Sequence, residues 1–307
     1  MKPIALARTL VAAAGLTLAA SGVTYAQERQ PVIGQAPEPG QRIVLVTGST
    51  GGLGRVVARR LAQQGDHVIV HGRNEERGTE LVQEIASESP GSARFYQADL
   101  GSLDEVRALA AAVLRDYSRL DVLVNNAGIL LGGPRRLSED GHELHFQVNY
   151  LADYLLTFEL LPLLKSSAPA RIVHVASIAQ QPIDFDDPML ERGYDDGRAY
   201  AQSKLAQIVF SMDLADELEG TGVTTNAVHP ATLMDTDMVL ERNMPVRSSV
   251  EDGADSLMNL IDGDGLGSGR YFDQTTPAEA NEQAYDTRAQ QQLRALSVRL
   301  TGVGGPS

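Results

Sequence analysis

The sequence contains no cysteine. Disulfide bridges, thiolate zinc centres and cysteine nucleophiles are therefore excluded. Basic residues are scarce: 26 Lys and Arg stand against 40 Asp and Glu, for a formal net charge of −14. That balance argues against a basic nucleic-acid face and against tight adhesion to anionic lipid. It leaves room for an anionic cofactor, because the start of a helix can hold phosphate inside a negative protein. Solenoid-type internal repeats are absent. The segment Gly141-His142-Glu143-Leu144-His145 lacks the His-Glu-x-x-His spacing and a third ligand, so a packed helix start is expected there. Asp184, Asp186, Asp187, Asp195 and Asp196 lack calcium-loop spacing and read as a solvated acidic loop, with a lid over the substrate as the functional alternative. No metal is expected.

The chain has 307 residues, 43% of them hydrophobic, enough for one large α/β domain with a sizeable core. Lys2 and Arg8 precede an uncharged run from Thr9 to Gln27, which passes through Thr24-Tyr25-Ala26. Residues 1–26 read as a secretory signal peptide cleaved after Ala26, which makes the mature chain an exported, periplasmic protein. An N-terminal membrane anchor is the competing reading, since the run approaches the length of a minimal spanning helix. Small residues near its end favour the signal. Residues 27–41 carry Pro31, Gly34, Pro37, Pro39 and Gly40 and read as a linker without a folded element. The domain then covers 42–302, and 303–307 form a tail.

Within the domain, short apolar runs alternate with helical periodicity. Strands are expected at 42–46, 67–70, 93–97, 121–124, 171–176 and 223–228. Helices are expected at about 53–64, 75–88, 103–116, 143–165, 198–219 and 250–261. Arg270-Tyr271-Phe272 reads as a final edge strand and 277–298 as a last helix. This alternation implies right-handed crossovers. The expected fold is a single-domain, Rossmann-type, doubly wound parallel sheet with helices on both faces.

Four motifs punctuate that pattern. Thr47-Gly48-Ser49-Thr50-Gly51-Gly52-Leu53-Gly54 joins the first strand to the first helix. Glycine permits the turn and the close approach of a ligand, and the helix start offers free N–H groups to a pyrophosphate. Asn125-Asn126-Ala127-Gly128 follows the fourth strand and Ser177 follows the fifth. Tyr200 and Lys204, at i and i+4, share a helix face. A nearby cation favours the phenolate, so Lys204 is expected to lower the pKa of Tyr200.

With these motifs the chain resembles the short-chain dehydrogenase/reductase family, from about residue 42 to about 302. It is most similar to the retinol-dehydrogenase-like branch, on Phe146–Leu151, Gly220–Pro230, Gly269–Phe272 and the long insert between Ser177 and Tyr200. The resemblance implies an oxidoreductase acting on an apolar alcohol, aldehyde or ketone. It implies Tyr200 as general acid and base, Ser177 holding the substrate oxygen, Lys204 on the phenol and the cofactor ribose, and Asn149 holding a water in the proton path. It also implies cofactor contacts from Thr47, Gly48, Ser49, Thr50, Gly51, Gly52, Leu53, Gly54, Asp99, Leu100, Asn126, Ala127, Gly128, Pro230 and Thr232. Ala231 departs from the glycine common after His-Pro in relatives. A homodimer through the 143–165 and Tyr200 helices is a further implication, with simple burial of Leu151, Leu155, Leu156, Leu160 and Leu164 as its competitor.

The second strand ends at Val70-His71-Gly72-Arg73-Asn74, without the Asp or Glu that would grip an NAD ribose. Arg73 suits a 2′-phosphate, so NADP is expected over NAD. The alternative from another class is a non-catalytic nucleotide-binding scaffold or sensor; the complete set Asn149, Ser177, Tyr200, Lys204 argues against it. The leader sits uneasily with a nicotinamide cofactor, which is not expected in quantity outside the cytoplasm. The apolar residues Met234, Met238, Val239, Leu240 and Met244 are expected, with the insert, to wall the substrate pocket.

Overall fold

The computed structural model describes residues 33–304, so the signal-peptide and anchor readings of 1–26 lie outside the described residues. Among the described residues, no helix is long and apolar enough to cross a membrane. The central strands form where the sequence places β-branched apolar runs. They are β2 (Ile43–Val46), β3 (His67–Gly72), β4 (Ser92–Gln97), β5 (Val122–Asn125), β6 (Ala170–Val175), β7 (Val223–His229) and β8 (Arg270–Asp273). Two short strands, β1 (Ile33–Gly34) and β9 (Thr276–Ala278), flank them antiparallel. The sheet order is β1-β4-β3-β2-β5-β6-β7-β8-β9, and the seven central strands are parallel.

Both faces of the sheet are covered, which explains why whole strands are apolar rather than alternating. Val44 and Val46 pack on one side with α1 (Gly52–Gln63), α2 (Glu75–Glu88) and α8 (Val250–Asp262). Leu45 points to the other, with α3 (Leu103–Asp116), α5 (Ala152–Ser166), α6 (Asp196–Glu217) and α9 (Thr287–Thr301). α6 is buried around most of its circumference from Ala199 to Leu214. Leu151, Leu155, Leu156, Leu160 and Leu164 are all buried within the single chain.

Three local expectations are corrected. Residues 27–41 are not all linker: Ile33 pairs with Phe95 and Gly34 with Arg94. Gly34 adopts φ +112°, and a Cβ there would sit 2.3 Å from the Ala93 carbonyl oxygen. The glycine read as a breaker is what lets β1 lie against β4. Second, the 143–165 helix is not uniform. The short α4 (Leu144–Phe146) runs into a π-helical segment (Gln147–Leu151) before α5 begins. Periodicity cannot register one wide turn inside an apolar run. Third, β8 is not the edge: β9 pairs with it, Phe272 opposite Pro277, and the last helix starts only at Thr287, capped by Asp286. Proline suits that edge position, where no ladder donor is needed.

Leu45 is wholly buried in the middle of this sandwich. Leu45→Ala is expected to cost about 2–5 kcal/mol. Urea unfolding should show this as a lower midpoint with an unchanged m-value.

Candidate active site

In an open parallel sheet, ligands bind outside the carboxyl ends of the strands where the order reverses. Here that point lies between β2 and β5, and a cleft of about 930 Å³ opens there. The turn after β2 forms one wall. α1 begins at Gly51 with no side-chain cap and no acidic residue in its first turn. Its first amides are therefore left for an anionic ligand. Gly54 lets the helix lie directly on the turn: a Cβ there would fall 2.5 Å from the Gly48 carbonyl oxygen and from Asn126 Nδ2.

The turn is braced from beneath by a residue the sequence analysis did not single out. His71, on β3 and 2% exposed, accepts from the Gly48 N–H at Nδ1 (3.1 Å) and has Nε2 3.2 Å from the Ala98 carbonyl. This pair of contacts requires the neutral Nε2–H tautomer. Burial pushes the His71 pKa down to about 4. Its signal in the sequence was only a histidine at a strand end.

Most of the expected residues line the cleft: Gly48, Thr50 to Gly54, Arg73, Asp99, Leu100, Asn126 to Gly128, Ser177, Tyr200, Lys204, Pro230 and Thr232. Three do not. Thr47 is wholly buried, and its Oγ1 accepts from the N–H groups of Asn126 and Ala127, both at 2.9 Å. Ser49 Oγ accepts from the His71 N–H at 3.0 Å. Asn149 lies in the π-helical segment, where its Oδ1 accepts from the Ile129 N–H (2.7 Å) and its Nδ2 donates to Ile129 O (3.1 Å) and Ser203 Oγ (2.9 Å). Its amide is thus committed to holding the loop after Gly128. All three position the wall rather than face the cleft.

At the floor, Lys204 is 3% exposed and its Nζ lies 5.9 Å from the Tyr200 ring centroid. The amine donates to Val175 O at 2.8 Å and to Gln207 Oε1 at 2.9 Å. Burial lowers its pKa to about 8, opposed by the charge of Asp153. Burial also raises the Tyr200 phenol above its ordinary value, opposed by the Ser177 hydroxyl. The expected lowering of the phenol by Lys204 is not what sets its direction: burial raises it, and the hydroxyl of Ser177 is the group that opposes burial. Ser177 Oγ accepts from the Ala179 N–H at 3.0 Å, which leaves its own proton for another oxygen.

The apolar wall differs from the expected one. Met234, Met238, Val239 and Met244 line the cleft as anticipated and are joined by Ala231 and Leu233, but Leu240 is 52% exposed and does not. Beyond Ser177, the insert contributes only Ile178 and Ala179, with Gly197 at its far end on α6. Two of its carboxylates are spent locally, Asp187 accepting from the N–H groups of Glu191 and Arg192 and Asp195 capping α6, whereas Asp196 accepts from the Gly132 N–H and pairs with Arg242. The loop after Gly128 instead supplies Ile129, Leu130, Leu131 and Leu137. Glu143 caps the α4 turn by accepting from the Phe146 N–H and sits 2.9 Å from His145 Nδ1, as a helix start does. Among the described residues no cluster of three metal-ligating side chains occurs.

The sequence matches the family described as short chain dehydrogenase over residues 42–246. It is 34% identical to human retinol dehydrogenase 12 over 276 residues, covering 85% of this chain and 87% of the relative. It is 38% identical to mouse polyprenol dehydrogenase over 304 residues, covering 90% and 88%. Among solved structures, the Pseudomonas aeruginosa RhlG/NADP active-site complex aligns with a TM-score of 0.63 at 28% identity, over 76% of this chain and 94% of that one. A metagenomic short-chain oxidoreductase in complex with NADP aligns with a TM-score of 0.60 at 26% identity, over 75% and 95%.

His71 makes the glycine turn acid-sensitive. Its pKa is about 4 in the fold against the ordinary 6.5 of the unfolded chain, so both states are neutral above 6.5 and its stabilisation is complete there. As pH falls from 6.5 towards 4 the unfolded chain binds the proton first, and stability is lost at about 1.4 kcal/mol per pH unit for this group. His67, also lowered to about 4 by burial, adds a parallel loss. Urea titrations between pH 7 and 4.5 should give His71→Gln a shallower pH slope than the parent by about 1.4 kcal/mol per unit. Equal slopes would remove His71 from this role.

Proposed function

The chain belongs to the short-chain dehydrogenase family, and from that membership we propose that it exchanges a hydride between NADP and an apolar alcohol, aldehyde or ketone. The observation that carries the reading is the meeting of an uncapped helix start, Ser177, Tyr200 and Lys204 in one cleft walled by Ile, Leu, Met and Val. The cleft fits a dinucleotide by its donors. The turn from Gly48 to Gly54 would hold the pyrophosphate, and Asp99 and Leu100 would flank the adenine. Asn126 to Gly128, Pro230 and Thr232 would border the nicotinamide side. Arg73, at the end of the second parallel strand and 3.6 Å from Asp99, would take a ribose 2′-phosphate. When bound, the nicotinamide supplies or accepts the hydride.

The chain's own groups manage the proton. Tyr200 stays protonated through neutral pH because burial favours the uncharged phenol. It is therefore set to give its proton to a substrate oxygen in reduction, and it acts as base in oxidation. Ser177 donates to the same oxygen and stabilises charge developing there. Lys204 supplies positive charge behind the phenol. An apolar wall excludes water and favours a substrate without charge. The close sequence relatives include a retinol and a polyprenol dehydrogenase by name, which supports an apolar alcohol as the reduced partner.

Two measurements test this. Tyr200→Phe should lower turnover of a responsive aldehyde or ketone by at least about 100-fold, while NADPH affinity by fluorescence titration stays within about threefold. Retained turnover refutes the assignment. Arg73→Glu should weaken NADPH binding by about tenfold or more and leave NADH binding much less affected. An equal loss for both cofactors would remove the 2′-phosphate role.

A further inference from the structure

Behind Lys204, away from the cleft, lies a set of buried polar side chains that proton transfer at Tyr200 does not use. Asp153 and Thr157 on α5, Asn125 at the end of β5, His174 on β6 and Gln207 on α6 are each at most 1% exposed. Gln207 links two of the charges. Its Oε1 accepts from Lys204 Nζ at 2.9 Å, and its Nε2 donates to Asp153 Oδ2. The amide is therefore oriented at both ends, oxygen towards the cation and nitrogen towards the anion. His174 Nδ1 lies 4.0 Å from Asp153 Oδ2 and 3.3 Å from Asn125 Nδ2, which also donates to Thr157 Oγ1 at 2.9 Å.

The carboxylate is poorly satisfied by hydrogen bonds alone. Asp153 Oδ1 has no hydrogen-bond partner, and neither do Asn125 Oδ1 and His174 Nε2. Among the described residues, one other buried side-chain atom, Arg94 Nε, shares that state. A buried carboxylate held by so few donors is costly unless a cation balances it. The titratable groups facing Asp153 are His174 and, across Gln207, Lys204. Those facing Lys204 are Asp153 and, from the cleft side, Tyr200.

We propose that Asp153 is the buried counter-charge of Lys204: through the Gln207 amide it keeps the amine protonated and seated on Val175 O, and so acts as a positioning residue for proton transfer at Tyr200. This rests on the reaction assigned above. Desolvation alone drives the amine downward, and Asp153 is the group that resists it. Lys204 and His174 in turn hold down a carboxyl that burial raises. Without Asp153, the amine is a lone charge in a dry wall and sheds its proton closer to neutrality. The cation behind the phenol then disappears within the working pH range.

The chain carries three lysines, Lys2, Lys165 and Lys204, so lysine labelled at 13Cε gives a spectrum that can be assigned with Lys165→Arg. In the cofactor-free parent, Lys204 should titrate near 8. In Asp153→Asn its midpoint should fall by about one pH unit or more, and in Asp153→Asn combined with Gln207→Glu it should return. Identical midpoints in the parent and Asp153→Asn overturn the proposal. Should Asp153→Asn fail to fold, Gln207→Met removes the bridge and must lower the midpoint; an unmoved midpoint again overturns it. These titrations need neither cofactor nor turnover, so they succeed or fail independently of the proposed reaction. In the active enzyme, the alkaline limb of kcat in Asp153→Asn should move to lower pH by the same interval, with KM little changed. A loss of kcat equal at every pH would reduce Asp153 to a structural part and overturn the positioning role.

Discussion

The reversal of strand order between β2 and β5 governs where chemistry can occur. Strands buried on both faces have no free surface to offer a ligand along their length. Their carboxyl ends do, and at the reversal the loops after neighbouring strands diverge to opposite faces and leave a crevice. The glycine turn after β2, the Asn126–Gly128 turn after β5 and Ser177 after β6 all reach it from one edge of the sheet. Tyr200 and Lys204 come from α6, which is packed so fully that its register against the sheet has little freedom. The placement of Tyr200 and Lys204 is thus a consequence of core packing.

Charge around the cleft follows a second constraint. The chain is strongly acidic, yet it must accept an anionic cofactor. The donors proposed to face phosphate are backbone amides at the start of α1, which carry no net charge to attract or repel the rest of the chain. Three arginines at the mouth are paired with carboxylates: Arg73 with Asp99, Arg77 with Asp237, and Arg242 with Asp196. The last two pairs tie the segment that carries Met238 and Met244 to α2 and to the start of α6. The apolar wall is therefore anchored at both the cofactor end and the substrate end.

A third pattern concerns buried groups that hold the cleft walls in place. Thr47, Ser49, His71 and Asn149 are all buried, and each holds a backbone group of a cleft wall. Their hydrogen bonds are strong there because little water competes, and their loss would leave orphaned backbone donors. Asp153 and Gln207 extend the same logic one layer deeper, to the charge of an amine.

The motif residues, the alternation of apolar strands with periodic helices and the arginine at the end of the second parallel strand were legible in the chain, because backbone periods and glycine spacings are local properties. So were nearly all the central element boundaries. The short strand at Ile33 and the π-helical turn around Asn149 were not, since their partners Phe95 and Ser203 are distant in sequence, and neither was the hairpin strand at Thr276, which pairs locally with Asp273 but is too short to show a period. The same holds for the direction of the Tyr200 shift: spacing on a helix placed an amine nearby, but burial by the surrounding fold raises the phenol. Sequence determined which groups are available. Tertiary structure decided which of them face the cleft and which stand behind it, because desolvation and hydrogen-bond partners are set by what packs alongside, and that is never written in one segment of chain.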